Sequence, residues 1–288
     1  MFSTVGIVTK PNDPLSEKTA KELCQHIESK GIHVIKERNK IDSGTDLIIA
    51  IGGDGTLLNT ARSVVDKNIP MVGINLGRLG FLADIKVDNM KSAMDQVLAG
   101  VFKEEKRFLL SCEIDGDSAG KHYLAFNDVV IHRKERLRMI EFDVYIDDSF
   151  INTQRADGLI IATPTGSTAY SLSSGGPIMH PGIEAIGIVS ICPHTMSHRP
   201  LIVPSNKEIT VKIRDVEEGV NISFDGHDSF HLKSDQTIKI KQHINFVNLL
   251  HPEDYDYFQI LRNKLHWAGS FKKCFRAYQL EILLSSSH

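Results

Sequence analysis

The stretch IAIGGDGTLLNTA, residues 49–61, surrounds one carboxylate, that of Asp54, with three glycines. Because Gly52, Gly53 and Gly55 carry no side chain, their main-chain N–H groups stay open to an anion such as a phosphate. An acid in that position repels phosphate unless it has a chemical task, such as taking a proton from an attacking hydroxyl. The stretch therefore predicts a phosphate-binding loop in which Asp54 has a chemical task; the alternative is that Asp54 caps the helix that follows.

Two further stretches carry polar groups that suit a nucleotide. LAFNDVVIHR sets the amide of Asn127 beside the carboxylate of Asp128, where the pair can hydrogen-bond a base edge or ribose hydroxyls; an Asx turn is the alternative. RADGLIIATPTGSTAYSLSSGGPIMHP, residues 155–181, places a run of hydroxyl side chains after an apolar strand. Hydroxyls and free amides suit a dinucleotide, whereas a flexible Ser/Gly loop fits poorly beside two apolar strands.

The elements around the glycines predict where this chemistry lies. Residues 48–51 end a continuous apolar run and Leu57 begins a helical face, so residues 52–56 form a strand-to-helix loop at the carboxyl edge of a sheet. Ligands of open α/β sheets bind at that edge. We therefore predict a phosphate loop made of Gly52, Gly53, Gly55 and Thr56, in which Thr56 touches phosphate or caps the helix. The loop lacks the lysine of a Walker A sequence.

The whole chain divides into two patterns. The first hundred residues alternate strand and helix signals, which predicts an α/β N-terminal domain with a parallel sheet over residues 1–105. Residues 106–250 contain short alternating segments between turn residues such as Asp225-Gly226, which predicts an all-β C-terminal domain. Residues 251–288 carry a helix and a tail, predicted to pack back on the N-terminal domain. The active site is expected in the crevice between the domains.

Composition excludes several classes of protein. The 288 residues carry a net charge of −3, which does not favour nucleic-acid binding. The four cysteines lie far apart with no CxxC pair, as in a reduced cytosolic protein. We see no signal peptide and no apolar stretch of about 20 residues, so the prediction is a cytoplasmic protein without a membrane partner. His194 and His198 lie between prolines and are interpreted as loop residues, with no metal held by the protein alone.

The motifs resemble those of a known superfamily. GGDGT is similar to the signature shared by NAD kinases, diacylglycerol kinases and sphingosine kinases. NLGRLGFLAD at 75–84, LAFNDVVIHR, and residues 155–181 are similar to NAD kinase motifs in the same order, and the lipid kinases share only the first motif. The resemblance runs from about Val5 to Trp267. It implies ATP-dependent phosphorylation of the 2′-hydroxyl of the adenosine ribose of NAD. A lipid kinase of the diacylglycerol or sphingosine type and a non-enzymatic NAD(P) sensor are the alternatives.

The resemblance also implies that the domain over residues 106–250 binds the dinucleotide, and it assigns roles to single residues. It implies that Asp54 is the base, that Asn127 and Asp128 contact the adenosine half of NAD, and that Asp157 contacts the nicotinamide-side ribose. The family often has Glu at the position of Asp128. The other predicted nucleotide-binding residues are Gly55, Phe81, Arg138, Arg155, Thr168, Ala169, Tyr170, Ser171, Leu172, Ser173 and His227.

Some of these residues have a second interpretation. Arg138 and Arg155 also suit surface salt bridges. Phe81, with Leu82, either walls the adenine pocket or belongs to the core, and His227 is either a contact or a turn residue. The family further implies Mg²⁺ entering with the phosphates of ATP, and a homodimer or homotetramer.

Overall fold

The computed structural model describes residues 2–77, 80–116, 122–133, 139–195, 197–214, 219–232 and 236–267. Its helices are α1 (Pro14–Glu28), α2 (Asp54–Val64), α3 (Met90–Leu98), α4 (Tyr170–Ser173) and α5 (Tyr257–Leu265). Its strands are β1 (Thr4–Thr9), β2 (His33–Ile35), β3 (Leu47–Gly52), β4 (Met71–Asn75), β5 (Ile85–Lys86), β6 (Lys103–Ile114), β7 (Tyr123–Ala125), β8 (Asp128–Arg133), β9 (Ile140–Ile146), β10 (Ser149–Ala156), β11 (Gly158–Ala162), β12 (Ala185–Ile191), β13 (Leu201–Pro204), β14 (Ile209–Ile213), β15 (Val220–Phe224), β16 (His227–Leu232) and β17 (Thr237–His251).

The N-terminal half is an α/β unit whose elements follow from local sequence. β3 is buried along its whole length, as its unbroken apolar run predicts. α1 begins where the Asp13 side chain accepts hydrogen bonds from the N–H groups of Leu15 and Ser16, with Pro14 in the first turn. Strands β2, β1, β3, β4 and β5 pair in parallel in that order. The predicted parallel sheet is confirmed.

The long strand β17 connects the two halves of the molecule. Its C-terminal part pairs in parallel with β4 at Leu249 and Met71, and its N-terminal part pairs antiparallel with β14. Strand β6 runs antiparallel along almost all of β17. One sheet, with the central order β10-β9-β14-β17-β4-β3-β1-β2, therefore passes through both halves. The boundaries at 105 and 250 stay predictions.

The C-terminal half packs that sheet against a second one. Strands β13-β12-β11-β8-β15-β16 form an antiparallel sheet, as the short alternating segments predict. Apolar side chains from both sheets, such as Phe142, Leu159 and Ile240, fill one core between them. The α/β plus all-β fold class is confirmed. The tail at 268–288 lies outside the described residues.

A separate apolar cluster links the glycine-rich loop to the second sheet. Leu57 of α2, Leu82 and Phe126 are all buried in this cluster. Leu82 follows β4, and Phe126 immediately precedes Asn127 and Asp128. Three chain segments that the sequence analysis treated separately therefore meet on one side of β3 and β4.

Candidate functional site

Asp54 lies in the first turn of α2, and a neighbouring loop holds its carboxylate. Its Oδ2 accepts a hydrogen bond from the N–H of Phe81 at 2.9 Å, and its Oδ1 accepts from Leu82 and Ala83, each at 3.2 Å. The N-cap residue of α2 is Gly53, and no side chain caps this helix end. The alternative that Asp54 is a helix cap is therefore wrong, and Asp54 instead faces the loop after β4.

The glycines around Asp54 differ in what fixes them. A Cβ on Gly80 would overlap the carboxylate of Asp54, and a Cβ on Gly52 would overlap the side chain of Thr56. A Cβ on Gly53 or Gly55 would meet nothing within 4 Å, and neither residue has a positive φ. Packing therefore explains why Gly52 and Gly80 must be glycine. It does not explain why Gly53 and Gly55 are glycine, but their bare backbone leaves room for an incoming group.

Asn127 and Asp128 are held by a second carboxylate. Asp225 accepts hydrogen bonds from the N–H groups of Phe126, Asn127 and Asp128 at 3.0, 2.7 and 3.2 Å. Asp225 and Gly226 form the predicted turn between β15 and β16, with φ of 53° and 70°. Both positive values belong to a type I′ hairpin turn, which Asp-Gly favours. This turn directs the Asp225 carboxylate back onto the start of β8.

The side chain of Asp128 is buried beside that of Asp225. Asp128 is 3% exposed and the Asp225 side chain is fully buried. Burial and the nearby charge of Asp225 raise the pKa of Asp128 to about 7. Burial raises the pKa of Asp225 too, although the three N–H groups and Arg62 oppose that rise. Near neutral pH the Asp128 carboxyl therefore exists in both protonation states, so it can donate as well as accept a hydrogen bond.

Helix α2 connects the carboxylate of Asp54 to that of Asp225. Asp54 begins α2, and Arg62 lies in its last turn. The Arg62 guanidinium donates a hydrogen bond to the carbonyl of Phe224 at 3.2 Å, and its Nε lies 3.6 Å from Asp225 Oδ2. The helix that presents Asp54 is thus anchored on the turn that holds Asn127 and Asp128.

The hydroxyl-rich segment after β11 packs against the same place. Thr163 donates its hydroxyl to the carbonyl of Phe126 at 2.7 Å and its N–H to the carbonyl of Asn127 at 2.8 Å. A Cβ on Gly166 would overlap the main chain of Asn127. Within the predicted run, the Ser171 side chain is buried and Tyr170 is 47% exposed. Thr168, Ala169 and Leu172 are half-buried, and Ser173 is exposed.

The remaining predicted residues lie farther along the second half. Asp157 joins β10 to β11, and its carboxylate accepts a hydrogen bond from Arg133 at 2.9 Å. Arg155 is 64% exposed at its side chain, with its Nε 3.8 Å from Glu141, as the salt-bridge alternative describes. His227 is exposed at the start of β16. Arg138 lies outside the described residues.

The two apolar residues of the loop after β4 differ. Leu82 is buried, which confirms the core interpretation for that residue. Phe81 is half-buried, and the Lys264 ammonium of α5 lies 5.7 Å from its ring centroid. Phe81 thus stays a predicted wall of the adenine pocket.

Three residues that organise this region were not predicted as functional. Asp225 was predicted only as a turn residue, and Gly80 and Arg62 were not singled out. The Asp-Gly pair signals a hairpin turn, but only the register of β15 against β8 shows that its carboxylate reaches Asn127. Gly80 carries no local signal, because its need for glycine comes from Asp54, 26 residues earlier in the sequence.

Neither a metal-binding cluster nor a membrane-spanning helix is present among the described residues. No group of three or more His, Cys, Asp or Glu side chains there is arranged to hold a metal ion. No helix in the same part of the chain is long and apolar enough to cross a membrane. His194 and His198 lie in the loop between β12 and β13, as predicted.

Comparison with known proteins adds independent findings. The family model for the ATP-NAD kinase N-terminal domain matches residues 36–102, and the model for the ATP-NAD kinase C-terminal domain matches residues 126–250. The chain is 47% identical to the NAD kinase of Hydrogenovibrio crunogenus, over 84% of this chain and 83% of that protein. It is 40% identical to the NAD kinase of Nitrosomonas europaea, over 95% of this chain and 98% of that one.

Two solved structures share the fold. The crystal structure of yeast NADH kinase complexed with NADH superimposes with a TM-score of 0.82 at 27% identity, covering 94% of this chain and 89% of that one. An NAD kinase from Archaeoglobus fulgidus in complex with ATP gives a TM-score of 0.73 at 25% identity, covering 92% and 99%.

Proposed function

Because the chain belongs to the NAD kinase family, we propose how it carries out the ATP-dependent phosphorylation of NAD: Asp54 receives the proton of the ribose 2′-hydroxyl while that oxygen attacks the terminal phosphorus of ATP. The new bond joins the 2′-oxygen to phosphorus, the bond from that phosphorus to the bridging oxygen of ADP breaks, and ADP leaves. The products are NADP and ADP. The observation that carries this assignment is the Asp54 carboxylate, fixed by three N–H groups and flanked by two glycines with open space.

The geometry around Asp54 supports separate roles for this carboxylate and for the neighbouring glycines. Phosphoryl transfer needs an oriented nucleophile and neutralised phosphate charge more than covalent help from the protein. The contacts with Phe81, Leu82 and Ala83 fix the carboxylate before substrate arrives. Gly53 and Gly55 leave space for phosphate oxygens at the N-terminal end of α2, where the helix dipole favours negative charge. We assign the acid to the hydroxyl and the glycines to the phosphates.

Asn127 and Asp128 are proposed to bind the adenosine half of NAD. Asp225 fixes their main chain, so their side chains project from a rigid strand start. Removing the Asp128 side chain with Asp128→Ala is expected to raise KM for NAD. An unchanged KM would remove Asp128 from the site.

The other predicted contacts remain part of the proposal. Thr163 and Gly166, which precede the run from Thr168 to Ser173, pack against Asn127, and this supports a role of the run in dinucleotide binding. Asp157 and His227 keep their predicted roles. Arg155 is proposed to reach NAD only if its exposed side chain leaves Glu141.

Metal, assembly and location are also proposed. The phosphates of ATP would carry Mg²⁺ into the site, where it would supply neutralisation of the charge on them during transfer. A homo-oligomer is supported by the exposed apolar side chains Phe150, Leu201 and Ile202 on β10 and β13. The ordinary composition and separated cysteines support a cytoplasmic location.

The test is an assay of NADP formation with purified protein, NAD, ATP and Mg²⁺. A dehydrogenase specific for NADP reads the product, so phosphate must be on the 2′-oxygen to give a signal. A parallel reaction offers diacylglycerol or sphingosine with labelled ATP. We expect NADP and no labelled lipid. Labelled lipid without NADP would favour the lipid kinase alternative, and NAD binding without turnover would favour the sensor.

A further inference from the structure

A buried ionic cluster lies behind the site, made of Asp84, Glu105, Arg107 and His251. His251 Nδ1 lies 3.0 Å from Asp84 Oδ2, and His251 Nε2 lies 3.2 Å from Glu105 Oε2. Arg107 Nη2 donates to the same Glu105 oxygen at 2.7 Å. The side chains of Arg107 and His251 are 3% and 1% exposed. These four residues, the ionic cluster, come from β6, β17 and the loop before β5.

The cluster combines two carboxylates with a guanidinium and an imidazole. Burial would raise the pKa of Glu105, but His251 and Arg107 outweigh it and lower that pKa to about 2. Burial would lower the pKa of His251, but Asp84 and Glu105 outweigh it and raise that pKa above its ordinary value. Each charge is thus matched inside the cluster.

Stability alone is a poor reason for this arrangement. Asp84 Oδ1, Arg107 Nε and His251 Nε2 are buried without a hydrogen-bond partner among the described residues, and His251 approaches Glu105 as an ion pair only. Buried charges cost desolvation energy, and an apolar set of similar volume is often as stable or more stable. A cluster that is incompletely satisfied therefore calls for a role other than stability.

One end of the cluster connects to Asp54. Asp84, which faces His251, is the next residue after Ala83. Ala83 donates its N–H to Asp54 Oδ1, at the end of the loop that holds this carboxylate. The loop after β4 is thus tied to β17 through the pair of Asp84 and His251, one residue beyond its last contact with Asp54.

The other end connects to the segment beside Asn127. Arg107 Nη1 donates a hydrogen bond to Thr165 Oγ1 at 2.9 Å, and both residues are buried. Gly166, which follows Thr165, lies directly against the main chain of Asn127. The same cluster therefore holds the turn that packs on the predicted adenosine contacts.

We propose that the ionic cluster sets the position of the Asp54 loop relative to the Asn127 segment, so that His251 and Arg107 are positioning residues for phosphoryl transfer. This inference rests on the proposed function. The nucleophile is bound on the Asn127 side and its proton acceptor lies on the Asp54 side, so a shift between the two loops separates the reacting groups. A displacement of about 1 Å can cost about a hundredfold in rate.

The test compares two variants at opposite ends of the cluster. His251→Gln removes the imidazole that faces Asp84, and Thr165→Val removes the acceptor of Arg107 with little change in shape. We expect kcat to fall about tenfold or more in each, with the Kd for NAD within about threefold. We also expect the losses to be non-additive in the double variant, because both disturb one network. Thr165→Ser keeps the hydroxyl and should retain kcat within about twofold.

A matched control lies on the same strand. His243 of β17 also pairs with an acid, Asp66, at 2.9 Å, but outside the cluster. His243→Gln should leave kcat unchanged. Circular dichroism confirms folding of each variant, and if His251→Gln does not fold, the comparison of Thr165→Val with Thr165→Ser decides. Unchanged kcat in folded His251→Gln and Thr165→Val, or strictly additive losses of kcat in the double variant, would overturn the inference about the ionic cluster. The proposed function is tested separately, by NADP formation with the unsubstituted enzyme.

Discussion

Two aspartates in this molecule are held in the same way but in different surroundings. Asp54 accepts hydrogen bonds from three consecutive N–H groups, those of residues 81–83, and Asp225 accepts from three more, those of residues 126–128. Asp225 is fully buried with Arg62 close by. Asp54 is partly exposed between two glycines with open space.

This difference in exposure separates a structural carboxylate, Asp225, from one that can meet a substrate, Asp54. A buried carboxylate with all its neighbours fixed can only organise the chain around it. A carboxylate that is oriented by the same contacts, yet keeps an open side, can also meet a substrate. We therefore expect changes at Asp225 to act mainly on stability and changes at Asp54 to act mainly on rate.

The largest effect on stability is expected from Asp225→Ala. It leaves three N–H groups without their acceptor, removes the carboxylate that pairs with Arg62, and puts alanine at a positive φ. We expect the free energy of unfolding to fall by about 4 kcal/mol. Urea denaturation measures this.

Two further variants sharpen that result. Asp225→Asn keeps one oxygen and tolerates the positive φ, so its loss should be about half as large. Asp54→Ala should cost about 1 kcal/mol, because water can reach the groups it leaves. Equal losses at Asp54 and Asp225 would remove the proposed difference between them.

A smaller effect, with the opposite sign, is expected from Asp128→Asn. The pKa of Asp128 in the folded protein, about 7, lies above its ordinary value of 3.8, so the folded state binds more protons between those values. This group therefore makes stability fall as pH rises through that window. We expect Asp128→Asn to be more stable than the unsubstituted protein by about 2 kcal/mol at about pH 8, and by much less at about pH 5.

The matched control for that variant is Asp157→Asn. Its carboxylate has the Arg133 guanidinium at 2.9 Å, so removing the charge should bring no gain. Unfolding free energies at both pH values decide the comparison. If Asp128→Asn were more stable by the same amount at both pH values, the ionised form of Asp128 would not be the cause of the lower stability of the unsubstituted protein.

The smallest effects are expected at the glycines. Gly80→Ala places a methyl group against the Asp54 carboxylate and should cost about 1 kcal/mol of stability together with a fall in kcat. Gly53→Ala meets no atom of the chain, so stability should stay within about 0.5 kcal/mol while KM for ATP rises. Thermal unfolding and steady-state kinetics test the pair. An unchanged KM in Gly53→Ala would show that phosphate does not approach there.

The sequence predicted what is encoded locally. The apolar run before Gly52 predicted a buried strand, the helix signals in the first hundred residues and after residue 251 predicted helices there, and Asp225-Gly226 predicted a turn. The change in pattern near residue 105 predicted an α/β half followed by an all-β half. These features depend on residues that are close to one another in the sequence.

What the sequence did not predict depends on distant pairs. The sharing of β17 between the two halves requires its register with β4, β6 and β14. The contact of Asp225 with Asn127 joins residues 98 apart, and the ionic cluster combines β6, β17 and a loop. No periodicity signals such contacts, because each residue has an ordinary local interpretation.

The most direct measurement is a single-turnover experiment on Asp54→Asn. The carboxamide has nearly the same shape but cannot take the hydroxyl proton. We predict that the rate of NADP formation falls about a thousandfold, while the Kd for NAD measured by calorimetry stays within a few-fold. Phosphoryl transfer at the rate of the unsubstituted enzyme, in a folded variant that binds NAD normally, would contradict the assignment of Asp54 as the base.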